Sequence, residues 1–386
     1  MMQLNSLADV NTENNLAPVP ITDLCKRVIF RQSECQVCAD LCPTNAISLP
    51  FGPEVSGSCI NCGLCQIACP TEAFEGLHNT DLMILEFLQD KADTVTNDHE
   101  LFVHCHQAEA DHSHSISVNC LGNMTENALI AMAGAGVNIL KASTGKCSDC
   151  QMSQGMGLFN QAAATYTKLS KMFSMSKMII TLREEQKTSQ PSSTMSRRDL
   201  FRSFGKSVAK QAAKVVVNKE QQIRALLKTD DDITIQKRPS PRREILKGLL
   251  EVPLSTDVEN DSYGESSNAN IPWKKMLVDV PNCIGCGVCV NVCPTGALLK
   301  KVDDHELTRT INHSLCTNCN VCAEACPQDV IRFEQTYSLT DIVSERDEVV
   351  AVVPLNSCYI CGETIPISEG EVCTTCQKRQ VIPMFI

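Results

Sequence analysis

Short apolar runs alternate with stretches of helical period between residues 101 and 182. LFVHC (101–105), SISVNC (115–120), VNILKAS (137–143) and KMIITL (177–182) read as strands, and NMTENALIAMAGAG (123–136) and residues 154–172 read as helices. DLMILEFLQDKA (81–92) predicts a short helix before them. Strands alternating with helices imply a small α/β domain with a mainly parallel sheet, over 81–185. Residues 186–270 are rich in Ser, Lys, Arg, Gln and Asn and poor in large apolar residues, so they read as a polar, basic linker with one helical piece, roughly 197–229. The first twenty residues are polar, with prolines at 18 and 20, and read as a flexible tail.

Cysteine organises the rest of the chain. Cys283, Cys286, Cys289 and Cys293-Pro294 are followed by Cys316, Cys319, Cys322 and Cys326-Pro327, which is C-x2-C-x2-C-x3-C-P written twice. Thiolates are soft ligands for iron and sulfide, and a cubane needs four of them on one centre. The tight loop wraps three onto one cluster, while the fourth cysteine reaches the other. Cys283, Cys286, Cys289 and Cys326 are therefore expected on one [4Fe–4S] cluster, and Cys316, Cys319, Cys322 and Cys293 on a second. The stretch 271–340 resembles a bacterial dicluster ferredoxin. A pair of zinc sites is the alternative, although zinc rarely takes three cysteines at this spacing twice.

A similar array occupies 21–80, with cysteines at 25, 35, 38 and 42-Pro43, then 59, 62, 65 and 69-Pro70. The second half is complete. In the first half Gln32 stands where the leading cysteine would fall, and Cys25 lies seven residues upstream. A long loop can still return a thiolate, since closure entropy grows slowly with length. Cys25, Cys35, Cys38 and Cys69 are expected to hold one cluster, and Cys59, Cys62, Cys65 and Cys42 the other. A three-ligand or [3Fe–4S] site with Cys25 merely buried is the competing reading. This segment also resembles a dicluster ferredoxin, and both arrays carry Cys-Pro-Thr-x-Ala, at 42–46 and 293–297.

The middle stretch places cysteine differently. Cys105 and Cys120 each end a predicted strand, and Cys147 and Cys150 follow a third. In open α/β sheets ligands gather beyond the carboxyl ends of the strands, where four such thiolates can meet. Val103-His104-Cys105, Asn119-Cys120-Leu121-Gly122-Asn123 and Gly145-Lys146-Cys147-Ser148-Asp149-Cys150 resemble the delta (iron–sulfur) subunit of methyl-viologen-reducing hydrogenases. That resemblance implies a [2Fe–2S] cluster on Cys105, Cys120, Cys147 and Cys150, relaying electrons to a partner. The family commonly has a second cysteine after the first strand; here that neighbourhood holds His104, His106, His112 and His114. His106 is a candidate substitute ligand, a solvated loop being the plainer reading of the histidines. A zinc site or a redox-active pair at 147–150 remains open.

In 341–386, Cys358-x2-Cys361-Gly and Cys373-x2-Cys376 resemble a small zinc ribbon, and a tetrahedral four-cysteine zinc site is expected. A rubredoxin-like iron site is the main alternative. The expected role is structural, metal binding supplying folding energy that so short a segment lacks.

Composition narrows the function. The 386-residue chain carries 24 cysteines, in C-x2-C units that argue ligation over disulfides. Clusters of this kind need a reduced compartment, so a cytoplasmic location is expected. A net charge of −11 argues against nucleic-acid affinity. No run of eighteen apolar residues predicts a transmembrane segment, and the N-terminal residues show no signal peptide. Ser196-Arg197-Arg198-Asp199-Leu200-Phe201-Arg202 looks like a twin-arginine signal, but it is internal and is followed by lysines rather than an apolar run. A basic helix there could dock a partner or, peripherally, an anionic membrane face.

No dinucleotide fingerprint, P-loop, nucleophile elbow or H-E-x-x-H is present. The fold class expected is multidomain α+β: two ferredoxin-like dicluster units, the α/β domain between them, and a zinc-ribbon-like knuckle pair. The function expected is relay of single electrons from a donor to a terminal reductase, as carrier or wiring subunit, with reductase, dehydrogenase or hydrogenase subunits as partners. The alternatives are a reductase of sulfur or disulfide compounds using Cys147 and Cys150, and a cluster-based assembly or regulatory protein.

Overall fold

The main hydrophobic core forms where the apolar alternation is strongest. In the computed structural model, residues 17–76, 80–90, 99–108, 115–172, 175–184, 237–251, 274–303, 305–334 and 345–381 are described. The chain divides into two compact units, 1–186 with 235–386, and 187–234, and every described residue lies in the first. The 197–229 helical piece, the Ser196-Arg197-Arg198 motif, His112 and His114 lie outside the described residues.

The N-terminal array contains β1 (Val19–Pro20), α1 (Lys26–Ile29), α2 (Val37–Asp40), β2 (Ile47–Ser48), β3 (Glu54–Val55), α3 (Leu64–Ala68) and β4 (Phe74–Glu75). β1 pairs antiparallel with β4, and β2 with β3. The expected tail over 1–20 is therefore corrected at its end, because Val19 and Pro20 add a strand edge to Glu75 and Phe74.

Next come α4 (Thr80–Asp90), β5 (Glu100–Cys105), β6 (Ile116–Val118), α5 (Glu126–Gly134), β7 (Ile139–Thr144), α6 (Gly155–Met172) and β8 (Ile179–Glu184). The four strands form one parallel sheet in the order β6-β5-β7-β8. Leu101, Val103 and Cys105 on β5 are buried, as are Leu140, Ala142 and Thr144 on β7, so period-two alternation sets one face against the helices. α5 is buried from Asn127 to Ala133 and is capped by Thr125, whose hydroxyl accepts from the Asn127 N–H.

The structure contains a helix that the linker reading missed, α7 (Pro241–Glu251). Its Leu246 and Leu250 are fully buried in the core of the parallel sheet. The signals were local: Ser240 accepts from the Arg243 N–H, proline follows at the first helical position, and Ile245, Leu246, Leu249 and Leu250 make one stripe. Polar composition across 186–270 concealed them.

The C-terminal array begins with β9 (Lys275–Val278) and continues through α8 (Val288–Asn291), β10 (Leu298–Val302), β11 (Glu306–Asn312), α9 (Val321–Glu324) and β12 (Ile331–Glu334), with β9 paired to β12. β13 (Asp347–Ser357), β14 (Thr364–Pro366) and α10 (Thr374–Val381) follow. β10, β11, β13 and β14 make one antiparallel sheet, so the last cysteines are tied to the dicluster stretch instead of forming a free knuckle. Among the described residues no helix is long and apolar enough to cross a membrane.

Asp81 tests the packing of the middle core. Its carboxylate accepts from the Thr125 N–H at 3.2 Å and hydroxyl at 2.5 Å, and burial pushes its pKa up to about 6. With the folded pKa above the unfolded one, stability is fullest at low pH and falls as pH rises toward 6. Between pH 5 and pH 7 the protein should lose about 1 kcal/mol more than Asp81→Asn, measured as denaturation midpoints.

Candidate metal centres

The three C-x2-C-x2-C loops share one backbone device. In Cys59-Ile60-Asn61-Cys62-Gly63-Leu64-Cys65, Asn61 and Gly63 have positive φ; Gly285 and Gly287 do so in the 283–289 loop, and Asn318 and Asn320 in the 316–322 loop. Only Gly, and Asn among side-chain-bearing residues, takes this region readily, and it lets three sulfurs turn inward. The loop at 32–38 lacks the device, since neither Ser33, Glu34, Gln36 nor Val37 has positive φ. There α1 carries the chain from Cys25 instead.

The x3-C-P turns share a second device. Ala46 N–H donates to Cys42 Sγ and Ala73 N–H to Cys69 Sγ, each at 3.2 Å. The threonines at 44, 71 and 295 lie 3.9, 3.5 and 3.7 Å from Cys42, Cys69 and Cys293 respectively. Cys69-Pro70-Thr71-Glu72-Ala73 is thus a third copy of Cys-Pro-Thr-x-Ala, which a reading confined to two copies passes over.

Electrostatics shows which thiols meet. Burial, then Cys69, Cys25 and Cys35, pushes the Cys38 thiol up to about 12. Burial, then Cys62, Cys59, Cys38 and Cys42, does the same to Cys65, also to about 12. Cys289 is raised to about 11 by burial, with Cys286, Cys283 and Cys326 adding to it. Cys322 is raised well above its ordinary value by burial, then by Cys316, Cys319 and Cys293. Most of these partners come from one expected set, while Cys38 also acts on Cys65 and Cys289 on Cys322; Cys25 shares a buried core with Cys38 and Cys69. Cys42, Cys59, Cys62 and Cys65 line one cavity, Cys293, Cys316, Cys319 and Cys322 another, and Cys283, Cys286, Cys289 and Cys326 a third.

Four thiols buried together resist becoming four thiolates, and only a cationic centre offsets both the burial and the mutual repulsion. The donor sets fit iron–sulfur cubanes on that ground. An orphaned group points the same way. Arg309, 2% exposed, donates from Nη1 to Cys283 Sγ at 3.3 Å, while its buried Nε and Nη2 have no hydrogen-bond partner among the described residues. The β11–β13 register breaks between Arg309 and Thr310, and bulges of this kind re-aim side chains. Buried donors without acceptors are costly, and cluster sulfurs are acceptors the cavity would supply. Nothing in Leu-Thr-Arg-Thr marked Arg309 in the sequence.

The middle cysteines lie near enough to act on one another's ionisation. Burial raises the Cys120 thiol to about 11, with Cys105, Cys150 and Cys147 adding to it. Gly145, Gly122 and Met152 N–H groups donate to Cys105, Cys120 and Cys150 respectively, each at 3.4 Å. His106 turns elsewhere: its Nδ1 lies 2.5 Å from Asn119 O and its Nε2 2.8 Å from Gln107 Nε2. In the last segment the sulfurs of Cys358, Cys361, Cys373 and Cys376 lie within 4.8 Å of one another. Gly362, with positive φ, closes the first knuckle by donating to Cys358 O at 2.8 Å.

Comparison with known families finds a 4Fe-4S dicluster domain at 282–330 and a 4Fe-4S binding domain at 55–75. The chain carries two 4Fe–4S ferredoxin-type domains. They give it [4Fe–4S] binding and support an iron–sulfur electron-transfer role. Cys25, Cys35, Cys38 and Cys42 lie outside the matched segments. No curated protein matches the chain.

Two substitutions test these sites. Arg309→Gln removes a positive charge and donors beside the Cys283 set, so one cluster should shift to lower potential, on the order of 59 mV, in an EPR-monitored titration. A Cβ at Gly155 would lie 2.4 Å from Cys120 Sγ and 3.2 Å from Leu64 Cδ2. Gly155→Ala should therefore abolish the middle site's visible absorption while the ferredoxin-type signals persist.

Proposed function

We propose that the protein is an iron–sulfur electron-transfer protein that relays single electrons between a redox donor and a terminal reductase, as a carrier or wiring subunit. The observation that carries this reading is the convergence of four-cysteine sets, two of them wholly inside a segment matching a dicluster domain. We assign four [4Fe–4S] clusters, to Cys25, Cys35, Cys38 and Cys69; Cys42, Cys59, Cys62 and Cys65; Cys283, Cys286, Cys289 and Cys326; and Cys293, Cys316, Cys319 and Cys322. A cubane with four thiolates has no open position for substrate and supplies one-electron chemistry.

Cys105, Cys120, Cys147 and Cys150 are assigned a [2Fe–2S] cluster, following the resemblance to the hydrogenase delta subunit. A dithiol reductase needs two sulfurs; that Cys105, Cys147 and Cys150 all act on the Cys120 thiol supports a four-cysteine cluster. Cys358, Cys361, Cys373 and Cys376 are assigned zinc, with a structural role. The small core there consists of Cys358, Cys373, Cys376 and Ile365, too little to fold without metal. Reductase, dehydrogenase or hydrogenase subunits are the proposed partners, in a reducing, cytoplasmic compartment.

Anaerobic iron, sulfide and zinc analysis with EPR of the reduced protein tests the assignment. About eighteen irons and one zinc per chain are expected. An iron content near eight would remove half of it, and zinc at the middle site would remove the [2Fe–2S] assignment.

A further inference from the structure

The two ferredoxin-type arrays are separated by roughly two hundred residues, yet they meet at a half-buried contact between Lys26, which is buried, and Glu324, whose side chain is 41% exposed. Lys26 directly follows Cys25, and Glu324 lies between Cys322 and Cys326. Lys26 Nζ stands 2.5 Å from Glu324 Oε1, and Ser33 donates to Glu324 Oε2 at 3.0 Å. Lys26 is 8% exposed, so its ammonium is held inside the junction and not on the surface. The same charge acts on Cys319 of the second array. Arg243 at the start of α7 is also buried, and Cys316 of one array and Glu72 of the other are among the charges that act on it. Arg238 adds a rim, pairing with Glu75 and donating its N–H to Pro294 O.

We infer that Lys26 and Glu324 are positioning residues that join the two arrays at their inner cysteine sets, Cys25-Cys35-Cys38-Cys69 and Cys293-Cys316-Cys319-Cys322, so that the five redox sets stand in one unbroken row. This rests on the electron-transfer reading and extends it by giving the order. The row begins at the middle set. Cys62, Leu64 and Met152 share a buried cluster with Cys120 and Cys150, and Asn123 Nδ2 donates to Cys62 O at 2.8 Å. Cys65 and Cys38 then share the first array's core. The Lys26–Glu324 junction follows, and Cys322 and Cys289 share the core of the second array. Spatial order thus differs from chain order: the set at 105–150 precedes 42–65, which precedes 25–69, then 293–322 and last 283–326. Electron tunnelling falls steeply with distance, so a path requires neighbouring sets to lie close together, not in contact. Each transfer moves one electron from a set to its neighbour and leaves every bond intact.

A charge lying between two sets of different arrays must act on both. In the full-length, iron-loaded protein, Lys26→Met leaves the Glu324 carboxylate uncompensated. It should lower two midpoint potentials together, each by roughly tenfold in the one-electron equilibrium, about 59 mV. Glu324→Gln leaves the ammonium uncompensated and should raise the same two. Lys26→Arg should restore them. The second array's inner set is identified by the EPR signal lost in Cys319→Ser, and the first array's by the signal lost in Cys38→Ser. A shift confined to one array, or shifts of the same sign in Lys26→Met and Glu324→Gln at unchanged iron content, would overturn the inference. Failure of the electron-transfer reading looks different: sulfide and iron analysis would find no cubanes in the unsubstituted protein.

Discussion

Crowding of buried sulfur is the constraint on which the structure depends. With 4% aromatic residues the chain has little with which to build cores outside the parallel sheet, and cysteine itself fills much of that role. The core of the first array includes Cys25, Cys38, Cys65 and Cys69, and that of the second includes Cys283, Cys289, Cys293 and Cys322. Thiols so placed are costly to ionise together, and burial raises several far above the ordinary range. A cationic centre converts that liability into binding energy. Folding and cluster loading are therefore coupled in the arrays, and the small core around Cys358 would be coupled in the same way to the metal proposed for it.

The parallel sheet plays a different part. Its apolar core is independent of metal, and it holds Cys105 at the end of β5 with Cys120 and Cys147 beyond β6 and β7. It also anchors α7, whose buried Leu246 and Leu250 bring Ser240, Arg242 and Arg243 back to the first array. Through that helix a conventional hydrophobic core fixes where two metal-dependent arrays meet. Arg242 donates to Ile67 O, Ser240 to Glu72, and Asn127 to Arg242 O. The middle domain is thus scaffold as well as candidate redox site.

Charge is distributed with the same economy. The chain is acidic overall, yet three basic residues are buried beside cysteine sets: Lys26, Arg243 and Arg309. Each is placed by a separate device, a helix following Cys25, an end of α7, and a strand bulge. Positive charge and hydrogen bonds near sulfur raise cluster potentials, so these three positions are candidates for tuning them.

What the sequence determined by itself was local. Ligand sets with fixed spacing are legible because three cysteines in seven residues can face one point only through a tight turn, which Asn61, Gly63, Gly285 and Gly287 permit. The strands of the middle sheet are legible because alternation at Leu101, Val103 and Leu140 repeats with period two. Even the approach of Cys25 to Cys35 and Cys69, despite the displaced position, could be anticipated from the slow growth of loop-closure cost. Tertiary structure alone decided what spans distance. The pairing of β13 with β11, the return of α7 and the Lys26–Glu324 junction all join residues with no periodic or motif-bearing link in the chain. Arg309 reads as an ordinary strand cation until a register break turns it onto Cys283. The physical reason is the same in each case: short spacing restricts geometry through the backbone, whereas a distant contact is chosen by packing and charge that only the folded chain brings together.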